Sequence, residues 1–383
     1  MHPLTWIQNH PTTFHLLTLP TLPLLHLLTL QRLCTLRLQQ PPYNRLPPHQ
    51  THPSKHLKLT IQTAGTTVAA LLLAFPILAP IQNPLAISAV RTACFFYACK
   101  MLDLAVMRAG TPPTMMVDRV NEGVGQADEK TVLHDQQPPE RTPTPLPPTT
   151  HLHTLHYAYL LTTQMRYHAF STLHLHPRRK NPHHHKPHLP LLLIPPLTYL
   201  VPNPATKSLL LLLTIHHTLE TLHTLLHPHC PTPLFHTPFA ATSLQDFWST
   251  HWQACATPWL LSLAYKPAKN VLTPLLGAKA ARAVAVVNTF SLTGVWHAWA
   301  VMPAVEEEWA WTLGVQVWAW FVSLGVGCVV ENAVFGRREG GWVRWVGTWA
   351  YMLVGGGLCW KTLEAHERTG YLEMMGRWVS WGS

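Results

Sequence analysis

The chain has 383 residues, 47% of them hydrophobic and only 11% charged. Ordinary soluble domains carry about 25% charged residues, so this composition argues against a soluble globule and for a polytopic membrane protein. The formal net charge of +10 comes with no helix-turn-helix, zinc-finger or RNP spacing, which argues against nucleic acid as a partner. In a membrane protein such a basic excess marks cytoplasmic loops.

Hydropathy predicts the spans in chain order. Residues 1–60 form a low-complexity N-terminal region with a weak span at Phe14–Leu36, interrupted by Pro20 and Pro23. No basic n-region or A-x-A site precedes it, so it reads as a retained membrane segment rather than a cleaved signal. Residues 61–110 carry two spans, Ala64–Ile81 and Leu85–Met107. The second contains Arg91, Lys100 and Asp103. Lys100 and Asp103 share a helical face, where a local ion pair would lower the cost of burial.

Residues 111–188 read as a loop or disordered region, with PTPLPPTT a linker-like stretch ending at Thr150. Its basic end, His176–His188, is expected in the cytoplasm. His183, His184, His185 and His188 lack a carboxylate or cysteine at ligand spacing, so no metal site is expected there. A second membrane region is expected in 189–383. Its spans are a short, proline-broken Leu189–Val201, then Leu209–Leu226, Ala283–Val305, Trp309–Phe335 and Val343–Trp360. The fold class is therefore all-α, a polytopic membrane protein with roughly seven or eight transmembrane helices. Glu306, Glu307 and Glu308 read as a solvated loop, and Arg337, Arg338 and Arg344 as a positive edge.

The composition changes near residue 238. Before it lie 24 of the 27 histidines; after it lie 15 of the 16 tryptophans and 15 of the 19 glycines. Base skew along a coding strand accounts for such a shift, which warns against giving each histidine a role. The seven cysteines are odd in number and irregularly spaced, so a disulfide framework is not expected.

Two places carry chemistry. His297 lies in the apolar run AVAVVNTFSLTGVWHAWAVMPAV. An ionisable group at membrane depth is costly and is by default a functional-site hypothesis. A neutral imidazole suits removal of a proton from an alcohol as it attacks an acyl carbon. A hydrogen-bonded packing histidine is the rival reading. Thr293 and Gly294 lie one turn earlier, and Gly294 leaves space for a substrate or a neighbouring helix. The second place is SLQDFWSTHW, Ser243–Trp252. Its plain reading is a helix capped by Ser243, with Trp248 and Trp252 on one face at the membrane interface. Its functional reading is a segment lining the mouth of a buried chamber, where Asp246 orients a catalytic group or holds the local backbone.

Taken in order, these blocks resemble the wax synthase domain of the membrane-bound O-acyltransferase superfamily. The blocks are Pro233-Leu234-Phe235, Thr242 to Trp248 with Trp252, and Phe290 to His297. That domain shows a P-x-L-F stretch, an S-L-R-D-F-W-G-R-R-W-H block and a later S-G-x-x-H block. CKMLDL, Cys99 to Leu104, is similar to the family's first-half pattern. The resemblance centres on residues 230 to 300. It implies that His297 is the catalytic histidine and Asp246 its companion. It further implies that Trp248, Trp252, Ser291 and Gly294 border the substrates. The chain departs from the family at Ser249, Thr250, His251 and Gln253, which replace a glycine, two arginines and a histidine. It departs again at Thr293, which replaces a serine. The missing arginines leave no assigned residues for the donor.

The implied activity is O-acyl transfer from acyl-CoA, as co-substrate and with no bound cofactor, to the hydroxyl of a hydrophobic alcohol. The fungal-type branch points to acetyl-CoA and a terpenoid or polyketide alcohol in secondary metabolism. Long-chain wax ester synthesis is the alternative. The expected partners are membrane lipid and the two substrates, and the expected location is the endoplasmic reticulum. A transporter or non-catalytic scaffold, with Arg91, Lys100, Asp103 and His297 lining a polar path, is the alternative from another class.

Overall fold

The computed structural model describes residues 28–29, 55–79, 81, 83–109, 151–164, 200–228, 233–235, 237–252, 255–336 and 341–367. The expected spans Phe14–Leu36 and Leu189–Val201, the basic patch His176–His188, Gln253, Arg337 and Arg338 lie wholly or almost wholly outside these residues. Among the described residues the architecture is helical, with a lone bridge between Val305 and Glu367.

Helix α1, Lys55–Leu78, and helix α2, Pro84–Leu102, form an antiparallel pair. The π-helical stretch Asp103–Met107 continues α2, and its close approach to α1 needs Gly65, because a methyl group there would overlap Ala105. The start of α2 is set by Asn83, whose side chain accepts the Ala86 N–H at 2.9 Å, and by Pro84, which needs no partner for a missing N–H. The same Asn-Pro device starts helix α4, Pro204–Leu226, where Asn203 accepts from Ala205 and Thr206. Helix α3, His151–Thr163, lies within the stretch expected to be loop. It packs Tyr157, Ala158 and Leu161 into a core with α1 and α2.

Helix α5, Leu244–Asp246, is a short turn that widens into a π-helical stretch, Phe247–Trp252. Helix α6, Thr257–Leu260, passes through another π-helical stretch, Leu261–Tyr265, into helix α7, Lys266–Val301. Run straight, residues 257–304 would be about 72 Å long, more than twice a bilayer core of about 30 Å. They are not straight. Gly277 has φ 77°, a left-handed conformation open to glycine, and the chain reverses there. Asn288 Nδ2 then donates to Ala264 O at 3.0 Å, and the Trp259 and Trp296 rings meet at 5.6 Å. Residues 257–276 and 278–301 are therefore the two legs of a helical hairpin. The sequence pattern placed a span only on the second leg. The first leg is interrupted by Pro258, Lys266, Pro267, Lys269 and Pro274, and its apolar period is obscured.

Helix α8, Glu307–Phe335, returns along the second leg, and helix α9, Trp342–Ala365, packs against α4. Lys207 of α4 pairs with Glu364 of α9. Gly356 and Gly357 bring α9 against Ser208 and Ala205. Among the described residues four stretches are long and apolar enough to cross a membrane: Lys55–Leu78, Pro204–Leu226, Thr257–Ala304 and Glu307–Phe335. The third is the hairpin. Helices α2 and α9 complete the bundle.

Candidate active site

His297 sits near the end of the second leg, half-buried. Its Nδ1 lies 2.8 Å from the carbonyl of Thr293, one turn back. A carbonyl can only accept, so Nδ1 carries the proton and Nε2 keeps its lone pair. Nε2 has no hydrogen-bond partner among the described residues. The ring is stacked on Phe321 of α8, centroids 4.4 Å apart and 30° inclined, and touches Trp296 at 5.0 Å. The ring is thus oriented by a hydrogen bond at Nδ1 and by stacking on Phe321.

The residues leading to His297 attach the second leg to α8. Ser291 Oγ accepts the Trp318 Nε1 hydrogen at 3.0 Å. A Cβ at Gly294 would stand 3.0 Å from Phe321 Cβ and from Trp318 O. The space left by that glycine is filled by the neighbouring helix. Thr293 is fully buried and bonds back to Thr289 O at 3.0 Å.

The Ser243–Trp252 block shows the capped helix expected of it. Ser243 Oγ accepts the Asp246 N–H at 2.9 Å. Asp246 Oδ2 accepts the Thr242 N–H at 3.0 Å and lies 3.5 Å from His251 Nε2. Burial alone would raise the Asp246 carboxyl. The hydrogen bonds from His251, the Thr242 backbone and Thr250 outweigh burial and hold it well below the ordinary carboxylate range. Asp246 therefore holds the local backbone, and no hydrogen bond joins it to His297 among the described residues. The link is aromatic. Trp248 meets Phe290 at 5.4 Å and Phe321 at 5.8 Å, and Phe321 carries His297 on its face. Trp252 is stacked on Phe235 at 5.0 Å and on Phe247 at 6.0 Å, which joins the P-L-F stretch to the D-F-W block.

The first-half helix also reaches this site. On α2, Thr92 O accepts the Trp296 Nε1 hydrogen at 3.0 Å, and Arg91 donates to Trp299 O at 3.2 Å. Cys99 packs with Trp259 of the first leg and with Ala256 just before it. Lys100 and Asp103 are both fully buried. Asp103 takes Arg108 as its ion-pair partner at 2.8 Å, while Lys100 Nζ donates to the carbonyls of Thr162 and Gln164 at the end of α3.

Sequence reasoning passed over Phe321, Glu220 and Glu331, and read Arg344 only as part of a positive edge, whereas it pairs with Glu331. The glutamates had a signal: each is an isolated acid in an apolar span, the same anomaly that singled out His297. Phe321 had none, since an aromatic residue in a membrane helix is ordinary. Among the described residues no group of three or more metal-ligating side chains converges.

Residues 230–323 match the membrane bound O-acyl transferase family. The chain is 32% identical over 164 residues to a probable long-chain-alcohol O-fatty-acyltransferase 8 of Arabidopsis thaliana, covering 42% of this chain and 45% of that one. It is 30% identical over 151 residues to the long-chain-alcohol O-fatty-acyltransferase of Simmondsia chinensis, covering 35% and 42%. It is 29% identical over 112 residues to the acyl-CoA–sterol O-acyltransferase 1 of Arabidopsis thaliana, covering 29% and 30%. The chain spans less than half the length of these curated relatives. No solved structure matches it.

Proposed function

We propose that this chain, a member of the membrane-bound O-acyltransferase family in its wax synthase-like branch, moves an acyl group from acyl-CoA to the hydroxyl of a hydrophobic alcohol. The observation that carries the reading is the tautomer of His297. Its Nδ1 hydrogen is committed to Thr293 O, so Nε2 is the proton acceptor. In the reaction, Nε2 takes the hydroxyl proton as the alcohol oxygen bonds to the thioester carbonyl carbon. The tetrahedral intermediate collapses, the carbon–sulfur bond breaks, and the thiolate recovers the proton from the imidazolium. Ester and free CoA leave, with no net change in protons and no acyl-enzyme.

Phe321 stands against one face of the His297 ring with Trp248 behind it, and Asp246 acts as a positioning residue by fixing the turn that presents Trp248. Trp252, in its stack with Phe235 and Phe247, borders the acceptor's path. Ser291 and Gly294 shape the site through α8, which they hold close to His297. The names of the relatives favour a long-chain acyl donor with a fatty alcohol or a sterol as acceptor. Acetyl-CoA and a terpenoid or polyketide alcohol have no counterpart among those names and form a separate arm of the test.

That test is an acyl-transfer assay in microsomes expressing the chain. Labelled palmitoyl-CoA and acetyl-CoA are each offered with fatty, sterol and terpenoid alcohols, beside His297→Ala. The expected result is a labelled ester that disappears in the variant while protein abundance is unchanged. Retained turnover in His297→Ala would refute the role of that residue. No ester from any pair would move the assignment to a transporter or scaffold. Residence in the endoplasmic reticulum belongs to the same proposal and is read by fractionation of those membranes.

A further inference from the structure

Two glutamates on separate membrane helices use the same device on two separate motif blocks. Glu220 of α4 accepts two consecutive backbone hydrogens, from Leu234 to Oε1 at 3.2 Å and from Phe235 to Oε2 at 3.0 Å. Glu331 of α8 does the same at the start of α5, from Leu244 to Oε1 at 3.3 Å and from Gln245 to Oε2 at 3.0 Å. Each carboxylate divides its two oxygens between adjacent amides, a grip that fixes direction as well as position.

The surroundings are built around these grips. Glu220 is buried, as are Leu234 and Phe235. One turn before Glu331 along α8, Gly327 leaves room for Leu244, where a Cβ would meet the leucine at 2.9 Å. Arg344 of α9 places Nε 3.2 Å from Glu331 Oε1, so the carboxylate keeps a counter-charge in place. The first turn of a helix leaves its N–H groups without intrahelical partners. At α5 those of Leu244 and Gln245 are satisfied from another helix, while Ser243 takes that of Asp246.

We infer that Glu220 and Glu331 are positioning residues that pin the P-L-F and D-F-W blocks to the membrane helices and so set where the aromatic wall stands relative to His297. From Glu331 the line of contact runs through Leu244 and Gln245 to Trp248, then to Phe321 and the His297 ring. From Glu220 it runs through Phe235 to Trp252 and Phe247. The inference rests on the acyltransferase reading for its catalytic consequence, but the pinning itself stands without it.

The experiment compares Glu331→Gln, Glu220→Gln and Glu307→Gln in the full chain, in mixed micelles, by hydrogen exchange and by ester formation. Glu307 lies in the exposed first turn of α8 and serves as the control. A glutamine keeps the shape but has only one accepting oxygen, so one amide of each pair loses its partner. The expected result is faster exchange confined to the peptide carrying Leu244–Gln245 in the first variant and Leu234–Phe235 in the second. Turnover should fall about tenfold or more in kcat, from loss of a charge-assisted bond, with the micellar unfolding midpoint near that of the control. Arg344→Gln, which leaves Glu331 intact but without its counter-charge, should produce the same local exchange with a smaller loss. It also reads the same amides if Glu331→Gln does not accumulate. Unchanged exchange at those peptides, or equal loosening of the whole bundle, would overturn the inference. Changed exchange in a protein that forms no ester would leave the pinning intact and remove the acyltransferase reading instead.

Discussion

Replacing Gly294 by alanine tests whether α7 and α8 meet as closely as the site requires. The new methyl carbon would lie 3.0 Å from Phe321 Cβ, 3.0 Å from Trp318 O and 3.1 Å from Trp318 Cα. Two of those atoms are backbone, so no side-chain rotation relieves the contact. Ordinary carbon contacts stand at about 3.5–4.0 Å, so the neighbouring helix must give by a few tenths of an ångström. Overpacking of this kind costs about 1–3 kcal/mol. The displacement falls on Phe321, whose ring lies 4.4 Å from that of His297. Misplacement of a catalytic group by about 1 Å costs on the order of 100-fold in rate. Gly347→Ala is the matched control, because that glycine is exposed on α9 and its Cβ would meet nothing within 4 Å. Relief of glycine's backbone freedom should stabilise that variant by about 0.5–1 kcal/mol. Unfolding in mixed micelles reads both, and the ester assay reads the first. Wild-type stability and turnover in Gly294→Ala would refute the close packing of α8 on the leg that carries His297.

Gly277→Ala should also destabilise, by about 1–3 kcal/mol, although no atom lies within 4 Å of the added methyl; the cost is the left-handed φ of 77° at the hairpin turn, and equal stability in micellar unfolding would count against the reversal there. The depressed Asp246 carboxyl makes a signed prediction. Its ionised form is favoured by folding, so its contribution is complete above the unfolded carboxylate value of about 4 and is lost as pH falls below it. The stability difference between wild type and Asp246→Asn should therefore shrink on acidification from about pH 6 to about pH 3, and a difference that stays constant with pH would show that the carboxylate's charge is not what holds Thr242.

How much of this could be read from the residues depends on whether each feature is local. The cap at Ser243 was legible because its partner is three residues away, and the Asn-Pro starts of α2 and α4 have the same short reach. His297 stood out because a lone imidazole in an apolar run has no ordinary reason to be there. The hairpin at Gly277 was hidden by composition. A glycine between Leu276 and Ala278 breaks no pattern, and the prolines and lysines of the first leg lower its hydropathy below that of a span. The glutamates were hidden by distance. Glu331 finds its amides 86 and 87 residues back along the chain, and Glu220 finds its own 14 and 15 residues ahead. Their anomaly was visible, since a carboxylate does not enter a membrane helix without something to bind. What could not be read was that the partner is backbone, because backbone amides belong to every residue and leave no mark in a sequence. An ionisable residue in a span therefore identifies one end of an interaction. In this chain one such end commits one ring nitrogen to its own helix, and two others grip the backbone of the motif segments beside it.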